Sequence, residues 1–149
     1  MRTDHSTAAV HRLVDNKKNG VAYPFGTDCS GFVNWAILNG GYYDGSDKHT
    51  IYVPTGDSVF KTLAGISVPS VKVANAKGKI KPGDIAFKAG HVGMVVEVHD
   101  DYFMVAEEKG YDYGLVVSKV KYDRFSDIVL MDNFYNNYKK DTPLWSGFK

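Results

Sequence analysis

Apolar positions recur along the chain with two periods, and the change from one to the other divides it. Near the start, Ala9, Val10, Leu13 and Val14 fall three and four apart, which predicts a helix from Ser6 to Lys18. Asp4 or Ser6 can cap it and Gly20 can end it. Val21 to Thr27 reads as extended, turned by Pro24 and Gly26. Phe32, Val33, Ala36 and Ile37 then repeat the helical spacing, in a segment opened by Asp28-Cys29-Ser30-Gly31 and closed by Gly40-Gly41. Asp28 or Thr27 suits the N-cap and the glycines suit the stop. Gly40 to Thr55 is irregular and rich in aromatics, as a substrate-facing loop is. Asp57 to Ala64 reads as a short helix stopped at Gly65, and Ser67 to Lys79 as loop with one strand at Val71-Lys72-Val73. From Lys81 onward the period is two. Pro82-Gly83-Asp84 makes a turn, and strands are expected at Ile85–Lys88, Val92–Val98, Tyr102–Glu107, Leu115–Val120 and Asp127–Met131. The aromatics of Asn133 to Lys140 pack back on the body. Helices first and antiparallel strands after make an α+β domain, with the N-terminal helices packed on a C-terminal sheet.

Length and charge narrow the classes. The 149 residues suit one domain with a sizeable core. A formal charge of +1 gives no basic footprint, so nucleic acid is not an expected partner. The single cysteine excludes an internal disulfide, and no Cys/His zinc spacing is present, so neither a metal nor a cofactor is expected. No apolar run has the length of a membrane span. Met1-Arg2-Thr3-Asp4-His5 lacks the apolar stretch of a signal peptide. The chain is therefore either made without an export signal or cut from a longer protein.

That single cysteine, Cys29, falls in the first turn of the second helix. Unpaired backbone N–H groups and the positive end of the helix dipole stabilise negative charge there, which suits a nucleophilic sulfur. Such a nucleophile needs a base, and the base needs a third group to orient it. His5 and His11 belong to the first helix region, His49 to the irregular loop and His99 to the Asp100-Asp101 turn. His91 instead stands at the mouth of a strand. A three-residue turn His99-Asp100-Asp101 would pair Val98 with Tyr102, Val95 with Val105 and Gly93 with Glu107. Because side chains alternate, Glu107 then shares a face with His91, opposite a glycine that leaves room for its carboxylate. A two-residue turn would send Glu107 to the other face, and Glu108 has the wrong parity in the favoured register. Taken singly, a cysteine at a helix start is more often an inert buried thiol. The combination is what points to catalysis.

Three motifs in order carry a resemblance. Tyr23-Pro24-Phe25-Gly26-Thr27-Asp28-Cys29-Ser30-Gly31-Phe32-Val33, then Lys81-Pro82-Gly83-Asp84-Ile85-Ala86-Phe87, then Gly90-His91-Val92-Gly93-Met94-Val95 resemble the NlpC/P60 cysteine peptidases, over about Val21 to Val120. The resemblance implies a papain-like fold that hydrolyses peptide bonds in bacterial peptidoglycan, commonly after γ-D-glutamyl in the stem peptide. It implies Cys29 as nucleophile and His91 as base. Tyr23 matches the family tyrosine near the nucleophile, and its hydroxyl is a candidate oxyanion donor beside the Cys29 N–H. Asp28 and Ser30 match positions that hold the substrate's amino end. The chain departs from the pattern at Val105, where members often carry the histidine that orients the base. Glu107 is the next candidate and looks more like the glutamate of the related CHAP amidases. The loop between Gly26 and Asp28 is also shorter than is common. The resemblance leaves an N-acetylmuramoyl-L-alanine amidase, a transglutaminase-like acyl transferase and a wall-binding module with a dead site as alternatives. A wall substrate implies work at the cell envelope or outside the cell, with wall-binding or lytic domains possible in a larger parent.

Overall fold

A computed structural model describes residues 17–18, 21–22, 28–42, 51–110 and 113–138. The first described elements are two short strands, β1 (Lys17–Lys18) and β2 (Val21–Ala22), paired antiparallel as Lys17↔Ala22 and Lys18↔Val21. This corrects the end of the expected first helix. Asn19-Gly20 falls between the two strands in the sequence, and Asn-Gly is a favoured two-residue hairpin sequence. The rest of that expected helix, with His5 and His11, lies outside the described residues, as do Tyr23, Pro24, Phe25, Gly26, Thr27 and His49.

Helix α1 (Cys29–Asn39) starts at its Asp28 cap, whose carboxylate accepts the Gly31 N–H at 2.6 Å. It ends where Gly41 takes φ +94°, a left-handed conformation that costs glycine little. Phe32, Val33, Ile37 and Leu38 are its buried stripe. Asn34 is also buried, and its side-chain oxygen accepts the Val53 N–H at 2.9 Å, pinning the segment after the irregular loop to the helix.

The expected helix from Asp57 to Ala64 is absent. Thr62–Leu63 (β3) and Ile66–Ser67 (β4) form a hairpin instead, turned at Ala64 (φ +48°) and Gly65 (φ +79°). The glycine read as a helix stop supplies the positive φ that a tight hairpin needs. Strand β5 (Ser70–Lys72) and a 3₁₀ turn at Val73–Asn75 follow.

The sheet is built from β5, β6 (Ile85–Lys88), β7 (His91–Val98), β8 (Phe103–Glu108), β9 (Leu115–Val120) and β10 (Asp127–Val129). Its order is β5-β10-β6-β7-β8-β9 and every pair is antiparallel. Helix α2 (Asp132–Asn137) closes the described chain. The molecule is thus a mixed α+β fold in which helix α1 precedes an antiparallel sheet. Side chains alternate to two apolar clusters. Ile85, Phe87 and Val92 join Phe32, Val33 and Ile37 of α1, whereas Ala86, Val95, Phe103 and Val105 join Phe125 and Ile128. Phe134 of α2 is fully buried and Tyr138 stacks on it at 4.9 Å, so the tail aromatics do pack on the body.

Lys81-Pro82-Gly83-Asp84 ties these parts together. Asp84 is buried, and its carboxylate accepts the N–H groups of Lys81 and Met131, each at 2.8 Å. Gly83 takes φ +96°, its N–H donates to the Val95 carbonyl at 2.8 Å, and its own carbonyl accepts the Tyr135 hydroxyl at 2.7 Å. Among the described residues no helix is long and apolar enough to cross a membrane.

Candidate functional site

Cys29 is the first residue of α1 and half-buried, so its sulfur lies at the helix's positive end. His91 is the first residue of β7, and the Cys29 side chain is near enough to its imidazole to raise the ring's pKa. The other side of the imidazole is taken by Glu107, whose Oε2 lies 2.7 Å from His91 Nε2. That leaves Nδ1 as the ring nitrogen for the sulfur. The structure therefore brings together the three residues expected to act together.

Glu107 arrives there by a route that the expected turn does not describe. The β7–β8 connection holds four residues, with Val98 opposite Phe103 and the His99 N–H donating to the Tyr102 carbonyl at 2.9 Å. That would put the register one residue out. A bulge between Val95 and Glu97 absorbs the extra residue, Val96, and restores Val95↔Val105 and Met94↔Ala106. Continued by one pair, this register sets Gly93 opposite Glu107. A Cβ on Gly93 would stand 2.4 Å from Val105 Cγ1 and 3.1 Å from Glu107 Cβ, so the close approach requires glycine. Val105 is buried in the sheet and offers the imidazole nothing.

Glu107 has no solvent exposure. Burial alone would raise its pKa, but hydrogen bonds from His91, Arg124 and Ser118, with the Arg124 charge, hold it at about 2. Arg124 grips the carboxylate as a fork, Nη1 to Oε1 at 2.6 Å and Nη2 to Oε2 at 2.7 Å. Its neighbour Phe125 lies nearly parallel to the imidazole, with ring centres 6.0 Å apart. The His91 pKa rises to about 9 through the hydrogen bond with Cys29 and then that with Glu107, against burial, which would lower it. His91 thus carries its proton at neutral pH. Arg124 and Phe125 escaped the sequence analysis because Lys121 to Ser126 shows no periodicity. The only available signal was a buried carboxylate in want of a cation.

A cleft of about 390 Å³ opens over these residues, lined by Asp28, Cys29, Lys88, His91, Glu108, Lys109, Gly110 and Arg124. Its size is that of a small-ligand site. Asp28 faces it while capping α1. Ser30 is buried, donates its hydroxyl to Asp28 Oδ1 at 3.0 Å, and does not line the cleft. Glu108, on the opposite side of β8 from Glu107, does line it, and accepts the Gly110 N–H at 2.9 Å. His99 stands apart, bonded to Glu97 at 2.6 Å and stacked on Tyr102. Among the described residues no group of three His, Cys, Asp or Glu is placed to hold a metal ion.

In comparisons with known proteins, no family model, no curated sequence and no solved structure matches the chain.

Proposed function

We propose that the protein is a papain-like cysteine peptidase of the NlpC/P60 kind that hydrolyses peptide bonds in bacterial peptidoglycan stem peptides. The observation that carries this reading is the line of contacts from Cys29 through His91 to the buried Glu107. A sulfur at a helix N-terminus, an imidazole against it and a carboxylate behind the imidazole are the parts that acyl transfer requires. The three ordered motifs supply the substrate class, and the γ-D-glutamyl bond is the one such enzymes commonly cut.

In this scheme the Cys29 sulfur attacks the peptide carbonyl while its proton is held on His91. His91 delivers that proton to the leaving amine, and a thioester forms on Cys29. Water, deprotonated by His91, then cleaves the thioester and restores the thiol. Glu107 holds the ring and steadies its positive charge, and the Cys29 N–H at the start of α1 is one donor to the oxyanion. Asp28, facing the cleft, offers charge to a substrate amino group. Such a substrate puts the site of action at the envelope or outside the cell.

Glu107 also favours a second reading, the amidase that cuts between the lactyl group and L-alanine, since CHAP enzymes use a glutamate in this role. The two differ only in the bond broken. Mass spectrometry of peptidoglycan digested by the protein, with Cys29→Ala and His91→Ala as controls, separates them. Fragments split inside the stem are expected, with each control falling at least ~100-fold. Intact released stems would establish the amidase. Undiminished cleavage by either variant would remove both.

A further inference from the structure

We propose that Arg124 is a positioning residue that keeps the proton shared by His91 and Glu107 on the imidazole. A carboxylate without solvent exposure, facing an imidazolium at 2.7 Å, has two arrangements of the same proton. In one, Nε2 keeps it, Glu107 is charged, and both ring nitrogens carry hydrogen. In the other, the proton leaves Nε2 for Oε2, giving a neutral acid and a neutral imidazole. Burial favours the second, because it removes two charges from a poorly solvated place. The remaining ring hydrogen, on Nδ1 facing Cys29, is then carried by a neutral ring, which neither balances the charge of a thiolate nor readily gives a proton to the leaving amine. The second arrangement is the weaker acid and the weaker partner for the sulfur.

Arg124 opposes it in two ways. Its permanent charge lies against both carboxylate oxygens, at 2.6 and 2.7 Å, so neutralising Glu107 would strand a guanidinium. Its fork also occupies lone pairs on both oxygens, leaving Oε2 to meet Nε2 from one direction. The guanidinium is itself held 5.1 Å from the Phe125 ring, the ring that lies along His91. One dipeptide between β9 and β10 therefore fixes the carboxylate and the plane of the base together. The other groups facing the pair are Cys29 from α1, Ser118 from β9, and Glu108 at the end of β8, whose charge and that of His91 favour each other. Among these only Arg124 can hold Glu107 ionised by its own permanent charge.

The purpose of this device rests on the peptidase reading, but its test does not, because NMR of ¹⁵N-histidine reads ring protons whether or not any wall peptide is cut. In the unaltered protein at neutral pH both His91 nitrogens should carry protons. Arg124→Gln, which keeps one donor and loses the charge, should show a neutral ring. Arg124→Lys, which keeps the charge, should keep the doubly protonated ring. On wall peptides, kcat should fall roughly 100-fold for Arg124→Gln, with KM little changed and partial rescue in Arg124→Lys. A folded Arg124→Gln protein with an unchanged imidazolium overturns the proposal, as does a neutral ring in the unaltered protein. Should Arg124→Gln fail to fold, the ¹³C carboxyl signal of Glu107 in the unaltered protein decides. A signal that stays ionised to about pH 4 supports the clamp, and one that titrates above that overturns it.

Discussion

A carboxylate sealed from water and an imidazolium bonded to it give stability that depends on pH, with the sign set by each group. The folded-state pKa of His91 is raised from 6.5 to about 9, so its contribution is complete below 6.5 and is lost as pH climbs through about 9. The Glu107 value is lowered from 4.5 to about 2, so its contribution is complete above 4.5 and is lost as pH falls through about 2. Between 4.5 and 6.5 both are fully present. Tm measured against pH should therefore hold a plateau there for this pair and decline on the alkaline side. Glu107→Gln should shorten that alkaline decline, since the imidazole loses its carboxylate. An alkaline limb of the same size in the variant would show that Glu107 does not hold the His91 proton.

At the level of elements, the strand pair β7–β8 shows how a correct placement can rest on an incomplete premise. Alternation along Val92–Val98 and Phe103–Glu107 was legible, and so was the choice of Glu107. The four-residue turn and the Val96 bulge were not, because each shifts the pairing by one residue and the two cancel. Removing Val96 should therefore leave both flanking registers intact, with Gly93 still opposite Glu107. We expect a folded protein with Tm within roughly 5 °C of the parent, checked by calorimetry and by cross-strand NMR contacts. Loss of the Val95↔Val105 pairing would contradict this. The β1–β2 pairing and the hairpin at Ala64-Gly65 were missed for a different reason. A glycine that ends a helix and one that turns a hairpin look alike until the partner strand is known. Arg124 lay beyond reach of any local pattern, since it meets Glu107 17 residues away across β9.

For the whole molecule, Asp84 is the joint between the turn before β6 and the segment after β10. Asp84→Ala would leave the Lys81 and Met131 N–H groups without their carboxylate, at a cost of roughly 2–4 kcal/mol. Denaturant unfolding should report that loss, while activity per folded molecule stays near the parent value, because Asp84 does not line the cleft. A selective loss of activity at full stability would make Asp84 part of the site. The sheet order has one more consequence. β10 inserts between β5 and β6, although it is the last strand in sequence among the described residues, and Arg124 and Phe125 come just before it. On a ribosome, Cys29, His91 and Glu107 all emerge before the residues that hold them in working order. The nascent chain reaches β10 with its chemistry unassembled, and competence arrives with that strand.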